Sequence, residues 1–361
     1  MADVVNRHGG DFLAAHGHRL SHGQVKALAD IERCRTAALG GHVEVYDCGH
    51  EVIAYNSCRN RSCPKCLGHK ARDWVEQKEG DLLPVPYFHV VFTLPHDLTQ
   101  VPPMARAALY QALFHASAAT LLEVSQRRLG GEPGFLSVLH TWGQTLTHHP
   151  HVHCVVAGGA LTHDRRRFHT SRARFLLPVR VLSEVFKAKM LDELRAQPLP
   201  GVDAAELALL LDDAAKKRWV VYAKRPFGGP GQVLRYLARY THKIAVSDRR
   251  IVDIDEQTVA FTYKDYRHGN EPRTMRLHAN EWLRRFTTHV LPRGFVRLRS
   301  YGFLANANKA DKLAAIRELL DVAAPTPPAD EPERTPCTCP ACGRGALLER
   351  RALRPICRDT S

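Results

Sequence analysis

Four histidines fall within six consecutive positions in "HHPHVH", residues 148–153. If residues 151–156 form a strand, His151 and His153 project to one face while Val152, Cys154 and Val156 project to the other. Two imidazoles about 7 Å apart along one strand face can share an ion held between them. Pro150 favours an extended residue before it and stiffens the entry to that strand. A third ligand has to come from a neighbouring element. If 135–142 pairs antiparallel with 151–158 so that His140 lies opposite His151, His140 joins the same face, with Gln144 in the loop as the alternative. Plain polar alternation on an exposed strand is the competing explanation for a His-x-His pattern.

Cysteines form a second constellation. Cys63-Pro-Lys-Cys66 is a CxxC turn able to present two thiolates to one tetrahedral ion at about 2.3 Å each. Cys34, Cys48 and Cys58 lie close by in sequence, so Cys48 with either Cys34 or Cys58 completes the set most simply; His50 and His69 are substitutes. No βαβ pattern surrounds the CxxC, which argues against a redox pair and for a structural Zn²⁺ folding a segment with little core of its own. Near the other end, Cys337, Cys339, Cys342 and Cys357 make a possible second zinc site.

The third constellation is "YLARYTHK". Tyr236 and Tyr240 are i, i+4 and share one helical face that Lys243 continues, while Leu234 and Leu237 turn toward a core. Two tyrosines at this spacing are by themselves as compatible with packing as with nucleophilic chemistry. Downstream, Trp282, Arg284, Arg285, Arg293, Phe295, Arg297, Arg299 and Tyr301 mix rings with cations, a composition suited to a single-stranded DNA groove.

These residues need a frame. "YFHVVFTL" (87–94) alternates as a strand with Phe88, Val90, Phe92 and Leu94 on one face; "FLSVLHTW" (135–142), "HVHCVVAGG" (151–159) and "RWVVYAK" (218–224) read as further strands. Helical spacing covers 10–33 with interruptions, 104–128, the stretch after "FLLPV", and "GVDAAELALLLDDAAKK"; "RRIVDIDEQTVAFTYKDY" reads as a hairpin. A last helix near 309–323 precedes the Pro-rich "APTPPADEPERTP". Across the 361 residues, 51 Lys and Arg against 37 Asp and Glu give +14, which points to a phosphate-bearing partner, nucleic acid or anionic membrane. No run of 18 apolar residues exists and "MADVVNRHGG" lacks a signal-peptide core, so a cytoplasmic protein is expected, with cysteines as ligands or free thiols. "GGPGQ" lacks the lysine of a phosphate-binding loop, so no nucleotide cofactor is expected.

Seven blocks occur in one order: "AYNSCRNRSCPKC", "YFHVVFTLP", "LHTWGQTLTHHPHVH", "RWVVYAKRPF", "YLARYTHKIAVS", "FTYKDYR" and "HVLPRGF". From about Cys34 to Leu304, with the cysteine tail, this order resembles the two-tyrosine HUH rolling-circle transposases of bacterial insertion sequences. The resemblance implies an α+β fold, an HUH-endonuclease-like central antiparallel sheet with flanking helices, preceded by a small zinc-binding domain. It implies His151 and His153, with His140 as third ligand, for Mg²⁺ or Mn²⁺, and Tyr236 and Tyr240 as nucleophiles that nick single-stranded DNA through a 5′-phosphotyrosine. The chain departs from the family's pattern at Val45, where a cysteine is usual, at Ser62, where a histidine is usual, and at Asp248, where an asparagine is usual. The expected division is 1–80 helical and zinc-binding, 81–310 catalytic, 311–336 helix and linker, 337–361 cysteine tail. A zinc-containing DNA-binding protein without cleavage, and a replication initiator or relaxase, are the alternative functions.

Overall fold

The computed structural model describes residues 1–66, 80–172, 174–224, 232, 245–266, 268–323 and 338–356. In chain order these begin with α1 (Ala2–His16), α2 (His22–Arg33), β1 (Gly41–Tyr46), β2 (Glu51–Tyr55) and β3 (Tyr87–Thr93). Next come α3 (Arg106–Leu129), β4 (Glu132–Trp142), β5 (His148–Leu161), β6 (Phe168–Thr170), α4 (Val179–Ala196), α5 (Ala204–Lys216) and β7 (Val220–Lys224). Then follow β8 (Ile251–Ile254), β9 (Thr258–Asp265), β10 (Glu271–His278), α6 (Ala279–Thr288), β11 (Leu298–Gly302), α7 (Lys309–Leu319) and β12 (Leu347–Leu353). No helix among the described residues is long and apolar enough to cross a membrane.

The chain divides into two compact units, one of residues 1–70, 246–290 and 325–361, the other of 71–245 and 291–324. This division is interleaved in sequence, whereas the expected one, 1–80, 81–310, 311–336 and 337–361, is linear. Its physical cause is long-range burial and pairing. In the first unit β1 pairs antiparallel with both β2 and β12, so the tail completes a sheet begun near the other end of the sequence. Glu44 with Arg350 at 2.9 Å and Glu51 with Arg351 at 2.7 Å reinforce that register. Such exposed pairs contribute about 1 kcal/mol or less apiece. A second sheet, in the order β10-β9-β8, and helix α6 belong to the same unit. Helix α2 starts in a capping box, with Ser21 and Gln24 satisfying each other's backbone N–H. The Gln24 amide also donates to the Thr287 carbonyl at 2.8 Å, tying α2 to α6. Asp248 lies 3.0 Å from the amino group of Met1.

The second unit is built on an antiparallel sheet in the order β11-β4-β5-β3-β7, with β6 added to β5. Alternation assigns its two faces. Phe88, Val90, Phe92, Leu139, Val152, Cys154, Val156 and Val221 pack into one core with residues of α3, α4 and α5. Burying an apolar side chain of this size contributes about 1.5–3 kcal/mol. On the opposite face Tyr87, Leu136, Val138, Val155 and Ala157 pack with Phe303, Leu304 and, from α7, Leu313 and Ile316. That smaller core covers only part of the face. Gly134 fits beneath the ring of Phe303, where a Cβ would lie 2.2 Å from a ring carbon. Gly130, with φ +70°, closes α3 in the left-handed conformation that frees the chain to enter β4.

Candidate metal centre

The β4–β5 hairpin positions the histidines. Its turn closes through Gly143 N–H donating to Thr147 O at 3.0 Å, and its register sets His140 opposite His151 and Val138 opposite His153. All three imidazoles consequently share the sheet face beyond the smaller core. Ring centroids are 4.3 Å apart for His140 and His153, 4.8 Å for His151 and His153, and 5.4 Å for His140 and His151. One ring nitrogen from each lies within 4.8 Å of the others, the spacing of a three-imidazole metal site.

Protonation favours ligation. Burial holds the His151 imidazole down at about 4 and that of His153 well below its usual value, so both are neutral at pH 7. The Nδ1–H of His151 donates to the His149 carbonyl at 2.7 Å, leaving Nε2 with a free lone pair. His153 is backed by a residue that sequence reasoning missed. His89 on β3 is nearly coplanar with His153, at 6° between rings, and its Nε2 lies 2.7 Å from His153 Nδ1. Burial, helped by Lys224, keeps His89 down at about 4. The available signal was a single histidine on the opposite face of an otherwise apolar strand; the pairing of β3 with β5 that gave it meaning was not in the sequence pattern. On its other side the cluster is walled by Trp142, which stacks on His140 at 4.8 Å and carries the Arg297 guanidinium 4.9 Å above its ring. The donor set therefore fits a divalent ion held by His140, His151 and His153. Gln144, the alternative third ligand, sits in the hairpin turn.

The remaining nominees are scattered. Tyr236, Tyr240 and Lys243 lie outside the described residues, as do His69, Cys337 and Cys357. Trp282 is a core residue of the first unit, fully buried and stacked on Phe286 at 6.0 Å between ring centroids, so it cannot stack on a base. Arg284 and Arg285 belong to the same helix and both pair with Glu281, at 2.5 and 2.6 Å. The single groove read from 282–301 thus divides between the units, because the amphipathic α6 turns its rings inward. Arg299 lies over Phe114 at 4.1 Å and donates to Gln111 Oε1 at 2.7 Å, while Phe295 is partly buried and Arg293 is exposed. Tyr301 stacks on Phe135 at 5.1 Å.

The cysteines separate into two groups. Cys34, Cys58, Cys63 and Cys66 bring their sulfurs within 4.8 Å of one another, with Cys66 3.5 Å from both Cys34 and Cys58. Burial and the neighbouring sulfurs push the Cys63 thiol up, a cost that a bound cation reverses. Cys48 is not part of this group. The β1–β2 turn carries it to Cys339 and Cys342 instead, and His50 is not among the grouped ligands. Cys154, fully buried on the helix-covered face beside Ser137, is a packing thiol pushed up to about 12 by burial.

Comparison with known proteins agrees with this architecture. A family model described as "Putative transposase" matches residues 134–312, and one described as "Transposase zinc-binding domain" matches residues 4–94. A relative from Sinorhizobium fredii, "Putative transposase y4qJ", is 42% identical, the match covering 100% of this chain and 98% of the relative. The transposase for insertion sequence element IS801 of Pseudomonas savastanoi pv. phaseolicola is 31% identical, covering 84% of this chain and 76% of that one. The histidine cluster of the antiparallel sheet thus lies within the transposase match, and Cys34, Cys58, Cys63 and Cys66 within the zinc-binding one. The chain belongs to the insertion-sequence transposase family and begins with that family's zinc-binding domain. Among solved structures, two of conjugative relaxase TrwC in complex with oriT DNA are similar at 14% and 12% identity with TM-scores of 0.23 and 0.26. The matches cover 42% and 62% of this chain and 68% and 95% of the respective relaxase chains.

Proposed function

We propose that this transposase cleaves and rejoins single-stranded DNA at the ends of its own element, in the manner of rolling-circle transposition, through a 5′-phosphotyrosine. The observation that carries the reading is the convergence of His140, His151 and His153 on one sheet face. These three residues would hold Mg²⁺ or Mn²⁺, which supplies charge neutralisation at the scissile phosphate. His89 fixes the orientation of His153, and the His149 carbonyl that of His151. Tyr236 and Tyr240 are the nucleophiles: a phenolic oxygen forms the new bond to phosphorus as the bond to the 3′-oxygen breaks, releasing a 3′-OH. One ester replaces another, so rejoining needs no nucleotide. A second tyrosine four residues along the sequence takes a second strand while the first is occupied.

An exposed edge of the same face also suits the substrate. Tyr222, exposed on the edge strand β7, lies opposite Val91, which in turn lies opposite His153, so its ring shares the histidine face. Lys224 lies opposite His89 on the same strand pair. A ring flanked by Lys224, with Arg297 over Trp142 on the far side of the histidine cluster, supports stacking and phosphate contacts along a single strand. Cys34, Cys58, Cys63 and Cys66 hold a structural zinc, and the protein works in the cytoplasm.

The test uses single-stranded oligonucleotides tiling the DNA that flanks the gene. Purified protein with Mg²⁺ or Mn²⁺ is expected to form an SDS-resistant covalent adduct that disappears in Tyr236→Phe/Tyr240→Phe and in His153→Ala. Binding without an adduct on every oligonucleotide and with either metal would overturn the reading in favour of a DNA-binding protein that does not cut.

A further inference from the structure

Cys48 stands in the turn between β1 and β2, whereas Cys339 and Cys342 lie shortly before β12. Their sulfurs nevertheless gather within 4.8 Å of one another. None of the three forms a disulfide. Tetrahedral zinc with bonds of about 2.3 Å spaces its sulfurs about 3.8 Å apart, so the cluster needs little adjustment. Its backbone is arranged around the sulfurs. Cys339 N–H donates to Gly345 O at 2.7 Å, Gly343 N–H donates to Cys339 O at 2.8 Å, and Gly343 turns the chain at φ +70°. Gly345 N–H then donates to Cys342 Sγ at 3.2 Å, a contact that favours the thiolate. Gly345 also passes so close that a Cβ there would lie 2.9 Å from Cys48 Sγ and 2.7 Å from Asp47 Oδ1.

Three thiolates at this spacing repel one another unless a cation lies between them, and soft sulfur donors select zinc among the common divalent ions. We propose that Cys48, Cys339 and Cys342 hold a second zinc ion, separate from the Cys34, Cys58, Cys63 and Cys66 site, and that this ion fastens the β12 segment to the β1–β2 sheet. Cys48 and Cys342 are exposed and Cys339 is buried. The ion sits where Asp47 N–H already donates to Ala346 O at 3.0 Å, at the entrance to the β1–β12 ladder. Its role is structural, as a rivet between two distant stretches of one chain.

The experiment uses the full-length zinc-loaded protein, its metal content measured by elemental mass spectrometry, with backbone hydrogen exchange followed over residues 347–353. Cys342→Ser is expected to lose one zinc per chain and to raise exchange in β12, while leaving the segment 34–66 protected. Cys63→Ser is expected to lose a different equivalent, and the two losses add. His151→Ala, which alters the site read as one for Mg²⁺ or Mn²⁺, is expected to leave both zinc equivalents in place. With Co²⁺ in place of zinc, the sulfur-to-metal absorption of Cys342→His should shift while the metal count stays at the wild-type value, which separates ligand loss from misfolding. An unchanged zinc count in Cys342→Ser, or an unchanged β12 after zinc loss, would overturn the proposal.

Discussion

His89 touches no reacting atom in this scheme, yet it faces His153 at 2.7 Å and can set which ring nitrogen of His153 carries the proton. Removing such an orienting partner typically costs about 10–100-fold in metal affinity. His89→Ala is therefore expected to raise the Mn²⁺ concentration for half-maximal adduct formation by roughly that factor. His89→Gln, which keeps a hydrogen-bonding group, should recover most of it at unchanged thermal stability; no shift in either variant would remove His89 from the site. Reading residues from sequence succeeded where local geometry suffices. The alternation of His151 with His153 and the assumed opposition of His140 to His151 both appear in the register. Cys48 defeated the same approach because its neighbours in sequence are not its neighbours in space, and no local pattern announces a strand that arrives from the other end of the chain.

At the scale of elements, the hairpin that carries the histidines is anchored through His148. Its Nδ1–H donates to the Thr99 carbonyl at 3.0 Å, and its Nε2 accepts from Tyr110 Oη of α3 at 2.7 Å. Burial holds this imidazole down at about 4, and Arg106 and His149 disfavour its charge further. In the unfolded chain it titrates near 6.5, so between that value and 4 the unfolded state binds more protons. Stability should accordingly be fully present above pH 6.5 and fall as pH drops toward 4. Urea midpoints of wild type and His148→Gln measured from pH 7 to pH 4.5 should converge on acidification; parallel curves would show that His148 contributes nothing to the acid sensitivity. Strands 87–94, 135–142, 151–159 and 218–224 were legible because period-two alternation survives wherever one face is buried deeply. The third strand of the β8–β10 sheet was not, since the exposed β10, rich in charge, alternates against solvent and not against a core.

For the whole molecule, +14 of net charge and an exposed ring on the histidine face predict how DNA is held. With about five phosphate contacts, the slope of log K against log salt should be near −3.5 for a single strand. Tyr222→Ala should weaken single-stranded DNA by about tenfold, as loss of one stacked base would, without altering that slope. Fluorescence anisotropy across a salt series measures both, and a Tyr222→Ala change in slope with no change in intercept would place the ring away from the strand. The two-unit organisation was the least legible feature. Burial of Trp282 and Phe286 draws 246–290 to the N-terminal unit, and the sequence between those residues carries nothing that distinguishes an inward ring from a base-stacking one.

The pairing of Gly41 with Leu353 has a consequence in time. On the ribosome β1 finds β2 almost at once, but its other edge stays open until Leu347–Leu353 has been made. At about 5–20 residues per second that interval is tens of seconds, long enough for an unpaired strand edge to meet other chains. A message interrupted before β12 therefore leaves that sheet two-stranded, with one edge of β1 unpaired.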